Sequence, residues 1–134
     1  MPLLGFKKRY VEPIQAGTKI HTFRVDRKIP VKVGDALYLY CGLRTKNCFR
    51  ILPPDTRSLP IRCVRVEPMT ITEFSVKIRG KIIFSEQCNE LARNDGFANF
   101  EEMFQFFKDR VPITGQLIFW KEPKRLYWED DFEH

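Results

Sequence analysis

The feature that most limits how this chain can fold is a change of hydrophobic period at Ser85. Upstream, apolar residues come in short strand-sized runs, several alternating with polar residues and punctuated by Gly and Pro. Downstream, Cys88, Leu91 and Ala92 fall at i, i+3 and i+4, one face of a helix. Phe100, Met103, Phe104 and Phe107 repeat that stripe, Pro112 ends it, and Gln116–Trp120 returns to a strand. This order predicts an α+β domain, compatible with a small mixed β-barrel flanked by helices. With 134 residues, of which twelve are phenylalanine, the chain closes one core and hardly two.

Within that frame Phe6–Tyr10 reads as a short strand or extended lead-in, and Val11–Ala16 as a brief helix that tolerates Pro13 in its first turn. Lys19–Val25 and Ala36–Cys41 read as strands, the second entered through Gly34-Asp35. Between them lies a charged turn at Asp26–Lys32. Leu52–Pro60 is turn chemistry, a loop or flap. In Ile61–Val66 the in/out parity slips at residues 63–64, the mark of a bulge. Thr70–Ile78 and Lys81–Phe84 read as strands joined by a tight Arg79-Gly80 turn. Ser85 suits an N-cap, Gly96 the residue after that helix, and Asn99 with Glu102 a capping box.

Charge is unevenly spread. Residues 1–50 hold eleven Lys/Arg against three Asp/Glu, whereas residues 85–134 hold six against eleven. A basic front half points to a polyanionic partner, nucleic acid or nucleotide. No apolar run is long enough to cross a bilayer, and lysines follow the short apolar start, the wrong order for a signal peptide. A cytoplasmic protein with no membrane partner is expected. Four cysteines without a close pair, and two histidines, one terminal, leave no metal site in view and no cofactor is implied. Cys63 and Cys88 read as core residues. The charged and aromatic end, residues 122–134, reads as a frayed or loosely docked acidic tail, or as an arm lying on the basic face.

The chemistry concentrates in Ala16–Arg24. Gly17 suits the break between helix and strand. If the strand alternates, Ile20, Thr22 and Arg24 share one face, and His21 and Phe23 share the other. Lys19 follows His21 if it lies in the strand. If it belongs to the turn, it is free to lean toward Thr22. His21 reads as a half-buried strand residue, and Arg24 either as a phosphate or base contact or as a surface ion pair with Asp26 or Asp35. Arg44, Lys46 and Arg50 form a basic loop beside Tyr38 and Tyr40, cations with aromatics that suit backbone contact and base stacking in single-stranded RNA.

Gly17-x-Lys19-x-x-Thr22-x-Arg24 resembles the signature of the ASCH domain family, a branch of the PUA-like barrels. Four further pieces follow in the family's order: Gly34-Asp35 before Leu37-Tyr38-Leu39, the loop Arg44–Cys48, Asp95-Gly96-Phe97 at a helix end, and Gln116–Trp120. The loop is similar to that of a phage-associated subset, which suggests a viral or prophage origin. The resemblance spans about Phe6 to Trp120, so residues 1–121 are expected to form the domain and 122–134 the tail.

What the resemblance implies is an RNA- or nucleotide-binding domain. Some family members hydrolyse an acyl amide on a modified cytidine with a lysine, a threonine and a glutamate; others resemble ribonucleases. Carried over, the lysine is Lys19 and the threonine Thr22. The acidic position falls on Asp95, one methylene shorter than the family's glutamate. Lys19 can act as a base for Thr22 only when neutral, and a carboxylate close beside it opposes that. Either Asp95 is held away or protonated, or Lys19 is a fixed cation stabilising an oxyanion. A protein-interaction module with a basic face is the third reading.

Overall fold

In the computed structural model, the described residues are 3–54 and 60–129. Most of the expected flap, residues 55–59, and the last acidic residues, 130–134, lie outside them. The described chain is α+β, with two sheets and three α-helices. In order, these are β1 (Leu3–Phe6), α1 (Val11–Ala16), β2 (His21–Val25), β3 (Ala36–Cys41), β4 (Phe49–Arg50), β5 (Ile61–Arg62), β6 (Arg65–Ile71), β7 (Val76–Ile78), β8 (Lys81–Ile83), α2 (Ser85–Asn94), α3 (Phe100–Phe107) and β9 (Ile113–Phe119).

The first sheet is built on β3, which pairs parallel with β1 and antiparallel with β4 and β5. The second runs β2-β9-β6-β7-β8, all antiparallel. Among the described residues no ladder closes these sheets into one barrel. The parity slip at residues 63–64 has a concrete meaning: the chain leaves the first sheet after β5 and enters the second at β6. A side-chain pattern must shift where a strand changes partners. The expected strand Thr70–Ile78 is interrupted by a turn, where Thr72 Oγ1 accepts from the backbone N–H groups of Phe74 and Ser75. Arg79 and Gly80, both at positive φ, make the tight hairpin that the sequence predicts.

The core lies between the sheets and under the helices. Leu37, Leu39, Ile71, Ile78, Leu91, Met103 and Leu117 are fully buried. Cys63 and Cys88 are buried within it, as expected. Asn99 caps α3 by accepting from the Glu102 N–H at 2.9 Å. The reciprocal bond of the box is displaced by one residue, Glu102 Oε1 accepting from Ala98 N–H at 3.4 Å. α2 begins at Ser85 itself, so the cap position falls one residue earlier, on Phe84; Gln87 Oε1 accepts from the Phe84 N–H at 2.8 Å. Gly115 sits where β9 presses against β2, so close that a Cβ there would collide with the Arg24 carbonyl.

The chain after β9 is not frayed through residue 129. Leu126 packs against the core, Tyr127 is fully buried and Trp128 is 4 % exposed. Arg65 and Arg79 lie over the Trp128 ring at 5.7 and 5.4 Å. Burial of the two large rings, Tyr127 and Trp128, is what docks this segment on the core.

Candidate functional site

Three local devices bring Lys19 to one place. Gly17 ends α1 in the left-handed conformation, φ 84°. The Thr18 and Lys19 N–H groups then both donate to the Pro13 carbonyl, folding the chain back on the helix. Next, Ile20 N–H donates to the Asn94 carbonyl at the end of α2, and Ile20 O accepts from Trp120 N–H after β9. Lys19 therefore lies in the turn ahead of β2 rather than in the strand, and the alternation rule does not bind it. Its side chain lines the same cleft as Thr22.

Lys19, Thr22, Arg24 and Asp95 all line one cleft of about 260 Å³, walled by rings of Tyr10, Phe97 and Phe106. Lys19 is 2 % exposed and Asp95 3 %. The ammonium donates to the His21 carbonyl at 2.8 Å and to the Asp95 carbonyl at 2.5 Å. Its distance to Asp95 Oδ1 is 3.5 Å, and it lies over the Tyr10 and Phe6 rings at 5.1 and 5.6 Å. A cation at the carbonyl-rich end of α2 is favoured by the helix dipole; a carboxylate there is not. Asp95 is held by donors that answer for that cost: Lys19 and the His21 ring. Burial pulls the Lys19 amine down to about 8, with Asp95 opposing the fall and Arg24 adding to it.

Gly96 takes φ 96° just after the helix, as the sequence predicts, and has a second reason to be glycine. A Cβ there would come within 3.1 Å of Lys19 Cδ and 3.2 Å of the Tyr10 ring. The residue that ends the helix thus also opens the channel through which Lys19 passes.

Arg24 makes neither expected ion pair. It donates to the Gly5 carbonyl on β1 at 2.7 Å and to Thr22 Oγ1 at 3.3 Å, with its guanidinium 4.8 Å from the Phe6 ring. It clamps the edge of one sheet to the edge of the other. Burial lowers its pKa without neutralising it. The Thr22 hydroxyl is hydrogen-bonded to Arg24 and makes no hydrogen bond with Lys19. The lysine and threonine share a wall of the cleft.

The other predicted binding residues lie elsewhere. Tyr38, Tyr40 and Arg50 are on the outer face of the first sheet, half-buried, with Arg50 4.9 Å from the Tyr38 ring. Among the described residues, Arg50 Nε and one terminal nitrogen are buried without a hydrogen-bond partner. Arg44 and Lys46 stand exposed on a turn organised by Thr45, whose hydroxyl donates to the Gly42 carbonyl at 2.6 Å. None of the five lines the cleft. Tyr40 and Arg50 connect to it through the register, because Gly5 lines the cleft and pairs with Tyr40, which pairs with Arg50.

Two residues matter more than the sequence suggests. His21 is fully buried rather than half-buried. Its Nδ1 is 2.7 Å from Asp95 Oδ1 and its Nε2 2.8 Å from the Tyr127 hydroxyl. Burial lowers the His21 pKa against the pull of Asp95, so the ring is neutral. Asn94 Nδ2 donates to the same Tyr127 hydroxyl at 2.6 Å. Burial likewise raises the Tyr127 pKa, keeping its proton on. The one sequence signal for Tyr127 is Leu126-Tyr127-Trp128, three large residues in an otherwise charged stretch; nothing local couples it to His21. Among the described residues no three His, Cys, Asp or Glu side chains gather as metal ligands, and no helix is long and apolar enough to cross a membrane. No family model, no curated protein and no solved structure matches the chain.

Proposed function

We propose that this chain binds RNA or a nucleotide in the cleft formed by Lys19, Thr22, Arg24 and Asp95, as an ASCH-like domain of PUA-like type acting in the cytoplasm. The observation that carries the reading is convergence. Residues far apart in sequence set two cations, a hydroxyl and a carboxylate against aromatic rings in a space suited to a nucleoside. Bases stack on rings, and phosphates and base edges take donors from Lys and Arg. Arg110 also lines this cleft. Arg50, over the Tyr38 ring and with two buried nitrogens unpaired among the described residues, and the exposed Arg44 and Lys46 would extend the surface for a strand leaving the cleft past β1. The test is a panel of modified nucleosides and short RNAs titrated at several salt concentrations. Affinity is expected to fall steeply with salt for RNA and weakly for nucleosides. Failure of every nucleoside and RNA to bind would refute the reading.

A hydrolytic use of the same cleft, on N4-acylated cytidine or on RNA, has one observation in its favour. The Lys19 amine sits near 8, so a working fraction is neutral at physiological pH. A neutral amine has two N–H donors and one lone pair. The donors can keep both carbonyl bonds while the lone pair turns to the cleft. Comparing wild type with Lys19→Ala on an acylated cytidine and on RNA tests it; equal rates would remove the assignment.

A further inference from the structure

Two groups converge on one oxygen, Asp95 Oδ1. His21 Nδ1 lies 2.7 Å from it and Lys19 Nζ 3.5 Å. The first is a full hydrogen bond; the second is longer than a charge-assisted one. The far side of the imidazole is fixed too, with Tyr127 OH at Nε2 and Asn94 Nδ2 donating to that hydroxyl. The Asp95 carboxylate can only accept, so Nδ1 carries the proton of the neutral ring and Nε2 accepts from the Tyr127 hydroxyl, whose oxygen in turn accepts from Asn94. Donors thus run in one direction, Asn94 to Tyr127 to His21 to Asp95. Of these four, only Asp95 lines the cleft.

We infer that His21, fixed by the buried Tyr127 of the C-terminal segment, is a positioning residue: by holding Asp95 Oδ1 it keeps the carboxylate from closing on Lys19. The segment after β9 is therefore part of the site's support. The inference deepens the hydrolytic reading and rests on it for any effect on turnover. The charged and titratable groups acting on Lys19 are Asp95 at the end of α2, Arg24 on β2 and Arg9 before α1, with the Tyr10 ring against it. Those acting on His21 are Asp95 and Lys19, with Tyr127 at its other nitrogen. Asp95 is the anion in both sets. How tightly it contacts Lys19 governs how easily that amine gives up its proton.

The experiment follows the titration of Lys19 in the full chain by the carbon-13 shift of its ε-carbon. Wild type is compared with His21→Phe, Tyr127→Phe and Asp95→Asn. His21→Phe keeps a buried ring and removes the donor, so the Lys19 pKa is expected to rise by about 1 unit or more. Tyr127→Phe removes only a hydroxyl and should move it in the same direction by less. Asp95→Asn should lower it. A Lys19 titration that is unchanged or lowered in folded Tyr127→Phe and His21→Phe would overturn the inference. Should His21→Phe not fold, the Tyr127→Phe result decides. Turnover is scored separately. A shifted titration without hydrolysis of acylated cytidine or RNA supports the positioning role and counts against the enzyme reading alone.

Discussion

In the cleft, Lys19 is 2 % exposed, its ammonium held by two carbonyls and faced by a carboxylate. In the loop, Arg44 and Lys46 stand in solvent on a turn whose own hydrogen bonds end at Thr45 and Gly42. The side chains are of the same kind, but their surroundings divide them. Desolvation makes the protonation of Lys19 depend on every neighbour, so the fold sets its chemistry. The loop cations keep their water and act only through their field, which salt screens. The protein therefore holds two sorts of cation, one whose protonation the fold sets and one that stays solvated.

The sharpest way to break that contrast is to remove a partner in the cleft. Asp95→Ala leaves the buried Lys19 without its counter-ion and the His21 N–H without its acceptor, and is expected to destabilise the protein by about 3–5 kcal/mol in urea unfolding. A loss below about 1 kcal/mol would mean that the network is looser than its distances suggest.

Next in size is the pH dependence of Lys19. Its folded pKa of about 8 lies below its ordinary 10.5, so above pH 8 the native state has released a proton that the unfolded chain still holds. Stability must then rise with pH between about 8 and 10.5, by up to about 3 kcal/mol. Cys63 and Cys88, whose thiols burial raises, work in the opposite direction at alkaline pH. The quantity to measure is therefore wild type minus Lys19→Met, unfolded in parallel from pH 7 to 10. A flat difference would refute the buried-amine assignment. On the acid side His21 carries the same sign, because its folded pKa is lowered. The unfolded chain takes up a proton below about 6.5 that the native ring does not, so stability falls with acidification. His21→Phe should remove that component.

Gly96→Ala tests the channel beside Lys19. The positive φ and the 3.1 Å approach to Lys19 Cδ predict a destabilisation of about 1–3 kcal/mol together with a displaced Lys19 titration. If stability falls while the titration stays, the glycine serves the helix end alone. The smallest effect on folding belongs to the loop. Arg44→Glu with Lys46→Glu should leave the unfolding midpoint in place, while lowering RNA affinity and flattening its salt slope by about 1 for each phosphate no longer neutralised. Unchanged RNA affinity would make the loop a bystander.

The sequence by itself determined the local elements whose cause is local. Gly17, the Arg79-Gly80 turn, Asn99 ahead of α3 and the stripes of α2 and α3 are legible because each depends on a few neighbouring residues. It also singled out Lys19, Thr22, Arg24 and Asp95, which the fold gathers along one cleft. Only the tertiary structure decided which side Lys19 takes, that Arg24 clamps Gly5 rather than meeting an acid, and that Tyr127 reaches His21 across 106 positions. The physical reason is that strand alternation assigns faces, not partners. A buried polar residue must find its hydrogen bonds wherever the packed chain brings them, and that return lies beyond any local window.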